Sequence, residues 1–187
     1  MNKKIILGIS GEIASGKDTV GKYLTEKHKA LLLRFSQPLR DMLDRLYLEQ
    51  NRENMATLSL YLRRAFGEDI LSKVLLTDAE SSQKDFIVVD GVRRLPDIIH
   101  METSEYFYFA YVEASQEKRY ERLVQRRQNP DDATKTPVQF EKDAKLETEL
   151  QISGLQERAD FMINNEGTLE ELYAQVDKMM EELQKKN

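Results

Sequence analysis

The chain has 187 residues, 40% of them apolar, and a net charge of −5. That length supports one packed domain, and no apolar run reaches the roughly 18 residues of a membrane span. There is no cysteine, so disulfides and thiolate metal sites are excluded, and the only two histidines, His28 and His100, are at unrelated spacing, which argues against a histidine metal centre. The acidic balance argues against a nucleic-acid partner, whose footprint is a basic stripe, and the apolar stretch after Lys4 is too short for a secretory signal. A cytoplasmic protein, monomer or homodimer, without a membrane or nucleic-acid partner is expected.

Lys4–Ile9 is a continuous β-branched run, as in a strand buried on both faces of a parallel sheet. A glycine-rich loop follows, then a helix carrying Val20, Tyr23 and Leu24, and a second strand at Ala30–Leu33. Ser36 as N-cap and Pro38 in the first turn open a helix with the stripe Leu39, Met42, Leu43, Leu46 and Tyr47. Ile70, Leu71, Val74 and Leu75 mark another helix. Phe86–Val89 predicts the third strand and Phe107–Val112 the fourth. Arg119, Arg122 and Arg126 share one helix face, with Arg127 beside them and Tyr120, Leu123 and Val124 opposite. Gln128–Thr136, with Pro130 and no apolar run, reads as a mobile loop. Thr136–Gln139 is a capping box, Ala159–Ile163 the fifth strand, and Thr168–Glu171 a second capping box. The latter opens a helix with the stripe Leu169, Leu172, Tyr173, Val176, Met180 and Leu183. Alternating strands and helices predict a three-layer α/β domain over residues 1–187, its parallel sheet covered on both faces.

The chemistry concentrates after the first strand. Gly11-Glu12-Ile13-Ala14-Ser15-Gly16-Lys17-Asp18-Thr19 has the G-x-x-x-x-G-K spacing of a phosphate-binding P-loop, between a strand and a helix. Gly11, Ala14, Ser15 and Gly16 supply backbone N–H groups to a triphosphate, the helix N-terminus adds its dipole, and Lys17 reaches the outer phosphates. Asp18 stands where a Mg²⁺-binding Ser or Thr is usual, with Thr19 next; a carboxylate also serves a hard cation.

The third strand ends in Asp90-Gly91-Val92-Arg93-Arg94. Ligands of open parallel sheets bind beyond the carboxyl ends of the strands, which brings Asp90 towards the P-loop. It would hold Mg²⁺ through water or accept a proton from the acceptor. Arg93 is a candidate for bidentate contact with an acceptor phosphate. The arginines Arg122, Arg126 and Arg127 precede the polar loop and read either as a solvated face or as the root of a lid, about 126–137, that closes over ATP.

These segments resemble the P-loop nucleoside monophosphate kinase-like family. Gly16–Val20 and Phe35-Ser36-Gln37-Pro38-Leu39-Arg40 resemble phage-type deoxynucleoside monophosphate kinases. Val89–Arg93 and Ala159–Leu172 resemble adenylate-kinase-like and dephospho-CoA-kinase-like proteins. The resemblance implies sheet order 2-3-1-4-5, ATP and Mg²⁺ as cofactors, and a small phosphorylated acceptor under the helices of residues 37–80. It also implies an adenine-bordering loop with Asn165 and Gly167. Leu33-Arg34-Phe35-Ser36 replaces the Val-Ile-Asp-Ala-Asp segment of dephospho-CoA kinases, which favours a nucleoside monophosphate acceptor. Arg34, Ser36, Arg40 and Arg93 are its candidate ligands. The alternatives are a dephospho-CoA or other small-molecule kinase, and a regulatory NTPase that needs no acceptor.

Overall fold

A computed structural model describes residues 4–126, 135–144 and 151–186. Its centre is the strand β1 (Ile5–Ser10), buried at every position. The other strands are β2 (Leu31–Arg34), β3 (Phe86–Asp90), β4 (Phe107–Glu113) and β5 (Phe161–Asn164). All pairings are parallel and the order is β2-β3-β1-β4-β5, as the resemblance implied. Each of the five predicted segments forms its strand.

The period-2 alternation of the strands divides the core into two layers. Ile6, Ile87, Val89, Phe109 and Tyr111 face Leu39, Leu71, Leu75, Ala79 and Ile98. These come from α2 (Gln37–Arg45), α4 (Ile70–Ser81) and α5 (Leu95–Ile99). Leu7, Ile9, Val88, Ala110 and Val112 face Val20 and Leu24 of α1 (Lys17–His28), and Leu172, Val176 and Met180 of the C-terminal helix α8 (Leu169–Lys186). Between α2 and α4 lies α3 (Arg52–Phe66); α6 (Gln116–Arg126) and α7 (Pro137–Ala144) follow β4. No helix among the described residues is long and apolar enough to cross a membrane.

Both capping boxes form. Thr136 N–H donates to Gln139 Oε1 at 2.8 Å, and Thr168 N–H donates to Glu171 Oε2 at 2.8 Å. Two details of the expected α2 change. Ser36 occupies the N-cap position, but its hydroxyl makes no capping bond. The stripe also ends before Leu46 and Tyr47, which are 59% and 89% exposed. The cause is a C-terminal turn in which Tyr47 N–H donates to Asp44 C=O and Leu48 N–H to Leu43 C=O, with Tyr47 left-handed at φ 57°. This is the Schellman pattern, which stops the helix and turns its next apolar residues outward.

The carboxyl ends of the strands form one rim. Arg34 lies level with Asp90, Ile9 with Asp90, Ser10 with Tyr111, and Glu113 with Asn164. The candidates Arg34 and Asp90, the P-loop that follows β1 and Asn165 just after β5 all lie on that rim.

Candidate functional site

The P-loop leaves β1 at Gly11 and enters α1 at Lys17. Ser15 N–H donates to Glu12 C=O at 3.1 Å, closing the loop. Ala14 is left-handed at φ 60° and Gly16 has φ 104°. Left-handed residues alternating with Ser15, which is not left-handed, turn successive N–H groups into a concavity suited to anions. A Cβ on Gly16 would overlap the side-chain amide of Asn165, so only glycine fits. Ala14 and Ser15 are buried, and the Ser15 hydroxyl oxygen has no hydrogen-bond partner.

Lys17 is mostly buried, with Nζ 3.9 Å from Oδ1 of the exposed Asp18. Thr19 lies one residue further along α1, half-buried. Asp90 sits at the end of β3, its side chain 15% exposed, with Oδ2 3.6 Å from Arg34 Nε. Its Oδ1 is buried without a partner. Burial first, and then the charge of Asp18, push the Asp90 carboxyl above its ordinary value; Lys17 and Arg34 pull the other way. An orphaned carboxylate oxygen that senses a second carboxylate fits a hard cation. The described residues contain no cluster of three metal-ligating side chains. Mg²⁺ commonly takes one or two carboxylates and completes its shell with water and phosphate, so the pair Asp18 and Asp90 suits it.

The loop after Asp90 is fixed from two sides. Ser10 Oγ donates to Val92 C=O at 2.7 Å, and the backbone N–H groups of Arg93 and Arg94 both donate to Asp97 Oδ2 at 3.1 Å. Gly91, at φ 92°, supplies the turn. The Arg93 side chain is exposed. Arg94 turns away to Glu68 and Asp97. Arg40 donates to Gln50 Oε1 at 2.8 Å, and Ser36 is half-buried at the mouth of α2.

On the opposite flank the arginine face of α6 is engaged. Arg119 is only 4% exposed; it pairs with Glu12 at 3.0 Å and donates to Ala114 C=O. Its guanidinium lies over the Phe140 ring of α7 at 5.6 Å. Ala14 of the P-loop packs with Leu123 and Phe140, so this loop rests directly on α6 and α7. Arg122 donates to Asn165 C=O at 2.7 Å and, at 3.5 Å, to Ser15 C=O. Asn165 Nδ2 donates to Ser15 C=O at 2.8 Å. Arg122 and Asn165 thus strap the loop after β5 to the P-loop. Gly167 lies in the exposed remainder of that loop. Arg127, the Arg126 side chain and most of the 126–137 lid lie outside the described residues.

Sequence reasoning missed the Arg119–Glu12 pair, the Arg122–Asn165 strap and the bracing by Asp97. Asp97 was within reach, since an aspartate three residues after a loop end and beside Pro96 is a helix-start signal. The other two join distant segments and leave no local pattern.

Residues 7–149 match the model of the AAA_18 family, described as an AAA domain. The chain belongs to this family. Among its curated relatives is a UPF0200 protein of Methanococcus maripaludis, 26% identical over 87% of this chain and 88% of that protein. In fold, this AAA-family chain is similar to a shikimate kinase from Bacteroides thetaiotaomicron, with TM-score 0.62, 14% identity and coverage of 96% of this chain and 98% of that one. A gluconokinase from Sinorhizobium meliloti aligns with TM-score 0.57 and 11% identity over 97% and 96%. The fold is that of the P-loop kinases.

Proposed function

We propose that residues 1–187 act as one ATP-dependent phosphotransferase that phosphorylates a nucleoside or deoxynucleoside monophosphate. The observation that carries this reading is the buried, unpartnered Oδ1 of Asp90, on the rim that also bears the P-loop and Lys17. Arg34 sits against the same carboxylate, with the exposed Arg93 three residues beyond it. Backbone N–H groups of Gly11–Gly16 and Lys17 hold ATP, while Arg122 and Asn165, with Gly167, shape the side facing the base. Arg34, Ser36, Arg40 and Arg93 bind the acceptor, and Arg126 and Arg127 belong to the lid. Asp18 and Asp90 would hold Mg²⁺, which when bound offsets phosphate charge. Such a site works by positioning and charge, which is what phosphoryl transfer requires.

A second reading is favoured by the raised carboxyl of Asp90. A base of that kind suits an alcohol acceptor, as in a dephospho-CoA or other small-molecule kinase, whereas a monophosphate already presents an anionic oxygen. The test is ADP release with ATP and Mg²⁺ against a panel of nucleoside monophosphates, dephospho-CoA and phosphate-free alcohols. Acceleration by one or more monophosphates supports the first reading. Acceleration only by alcohols supports the second, and ADP release unaffected by any acceptor leaves a regulatory NTPase.

A further inference from the structure

Beside the rim, two guanidinium groups converge on one surface carboxylate. Arg94 Nη1 donates to Glu68 Oε2 at 2.6 Å, and Arg63 Nε lies 3.8 Å from the same oxygen. The partners are unequal in burial. The arginine side chains are 23% exposed for Arg63 and 21% for Arg94, whereas Glu68 is 61% exposed.

Both guanidiniums are held without help from that carboxylate. Arg94 Nη2 donates to Glu68 C=O at 3.0 Å and to Asp97 Oδ1 at 3.0 Å. Asp97 is buried and also receives the N–H groups of Arg93 and Arg94, so it is a permanent counter-charge. Arg63 Nη1 donates to Ser59 Oγ at 2.7 Å. The buried carboxylate pairs directly with Arg94, while the counter-charge beside Arg63 is an exposed side chain on the Gly67–Asp69 connector. Burial first, and next the nearby Arg94, lower the Arg63 pKa below its ordinary value, against the opposing pull of Glu68 and Asp97. Exposed carboxylates bind weakly and detach at little cost. A phosphate offers more charge and more acceptor oxygens to two preset forks.

We propose that Arg63 and Arg94 form a binding site for a phosphate or carboxylate group, filled in the resting molecule by the chain's own Glu68 side chain. An arriving anion displaces Glu68 into solvent and takes its place between the two guanidiniums. Arg94 lies four positions after Asp90, at most about 14 Å of extended chain. An acceptor's anionic group bound there therefore stays close to the strand rim, and the Glu68 connector joins the acceptor-side helices α3 and α4. The identity of the anion as the acceptor's rests on the phosphotransferase reading; the site itself does not.

The experiment titrates inorganic phosphate calorimetrically into protein whose P-loop is filled with ADP. ADP affinity, measured in the same series, reports separately on the nucleotide reading. Glu68→Gln removes the internal competitor's charge and should bind phosphate roughly three- to tenfold more tightly than the unaltered chain. Glu68→Ala should do the same. Adding Arg63→Gln to Glu68→Gln should return affinity to the starting value or below it. Unchanged or weaker binding in both Glu68 variants overturns the proposal. So does a double variant that keeps the gain, because the phosphate would then sit elsewhere.

Discussion

Lys17 and Asp90 face the same rim with opposite thermodynamic roles. The Lys17 side chain is mostly buried, but its ion pair with the exposed Asp18 is long, at 3.9 Å, so Lys17→Ala should leave the thermal midpoint nearly unchanged. Phosphoryl transfer should fall at least about a hundredfold, as when a positioned electrostatic group is removed. Near-normal turnover would remove Lys17 from the reaction. Asp90 carries a buried charge whose pKa is raised on folding, so ionising it works against the folded state. The cost is complete at pH values above the raised folded pKa and fades as pH falls towards the unfolded value of 3.8. Without divalent cation, Asp90→Asn should therefore raise the midpoint by about 2–4 °C at pH 8 and by less in acid, while activity is lost. A variant that melts earlier at pH 8 would contradict this. The P-loop lysine and the terminal aspartate of β3 were legible because each occupies a fixed place relative to a strand. The unpartnered oxygen of Asp90 was not, since it depends on what β2 and α1 bring beside it.

Helix ends and straps show where local pattern stops being informative. The Leu39–Tyr47 stripe has helical spacing, yet the backbone leaves the helix at Arg45. Apolar periodicity records which side chains would share a face, and it does not record a tyrosine that enters the left-handed region. Tyr47 is 89% exposed, so its ring loses little packing on removal. Tyr47→Gly should relieve the backbone cost of that conformation and stabilise the protein by about 0.5–1 kcal/mol, measured by urea unfolding. A loss of stability would mean that the ring packs against a neighbour in solution. The Arg119–Arg122 face was likewise ambiguous in sequence, because a packed arginine and a solvated one have the same spacing. The Arg122–Asn165 strap carries its own expectation. Asn165→Ala should raise the KM for ATP several-fold and leave the acceptor KM unchanged, since losing a hydrogen bond of this kind costs about 1 kcal/mol. Equal effects on both substrates would point to general loosening.

Across the whole molecule, the strand assignments held because parallel core strands are written as short apolar runs. Sheet order came with the family resemblance, which spans nearly the whole chain. The tie between α1 and α8 appeared only in three dimensions. Tyr23 stacks on Tyr173 with centroids 3.9 Å apart, and Asp177 receives Lys27 at 2.7 Å, His28 at 3.0 Å and the Tyr23 hydroxyl. Burial alone would raise the Asp177 carboxyl, but hydrogen bonds from Lys27, His28 and Tyr23 together bring it below its ordinary value. Lys27, bonded to Asp177 and Tyr23, is pushed up from 10.5 to about 12. The Asp177 contribution is present above pH 3.8 and is lost as pH falls through the depressed folded pKa. The Lys27 contribution is complete below 10.5 and is lost as pH rises through about 12. Asp177→Asn should thus lower the thermal midpoint by about 2–4 °C at pH 7, with the difference shrinking below pH 3.8. A deficit that persists undiminished in acid would assign the effect to shape and not to charge.

The β2 and β5 strands that close the two sides of the sheet are only four residues long each. Lys186 of α8 lies over the Phe161 ring of β5 at 5.2 Å and over the Tyr108 ring of β4 at 5.9 Å, which puts a cation on the sheet face next to that border. Exposed strand edges recruit foreign chains when they are long, flat and apolar; short edges and lysines discourage this. The continuous apolar strands, β1 above all, are the segments most prone to cross-chain stacking, and they lie inside these short borders. The same layout that gathers the strand ends on one rim therefore leaves only short strands at the borders of the sheet, which offer little template to a foreign chain.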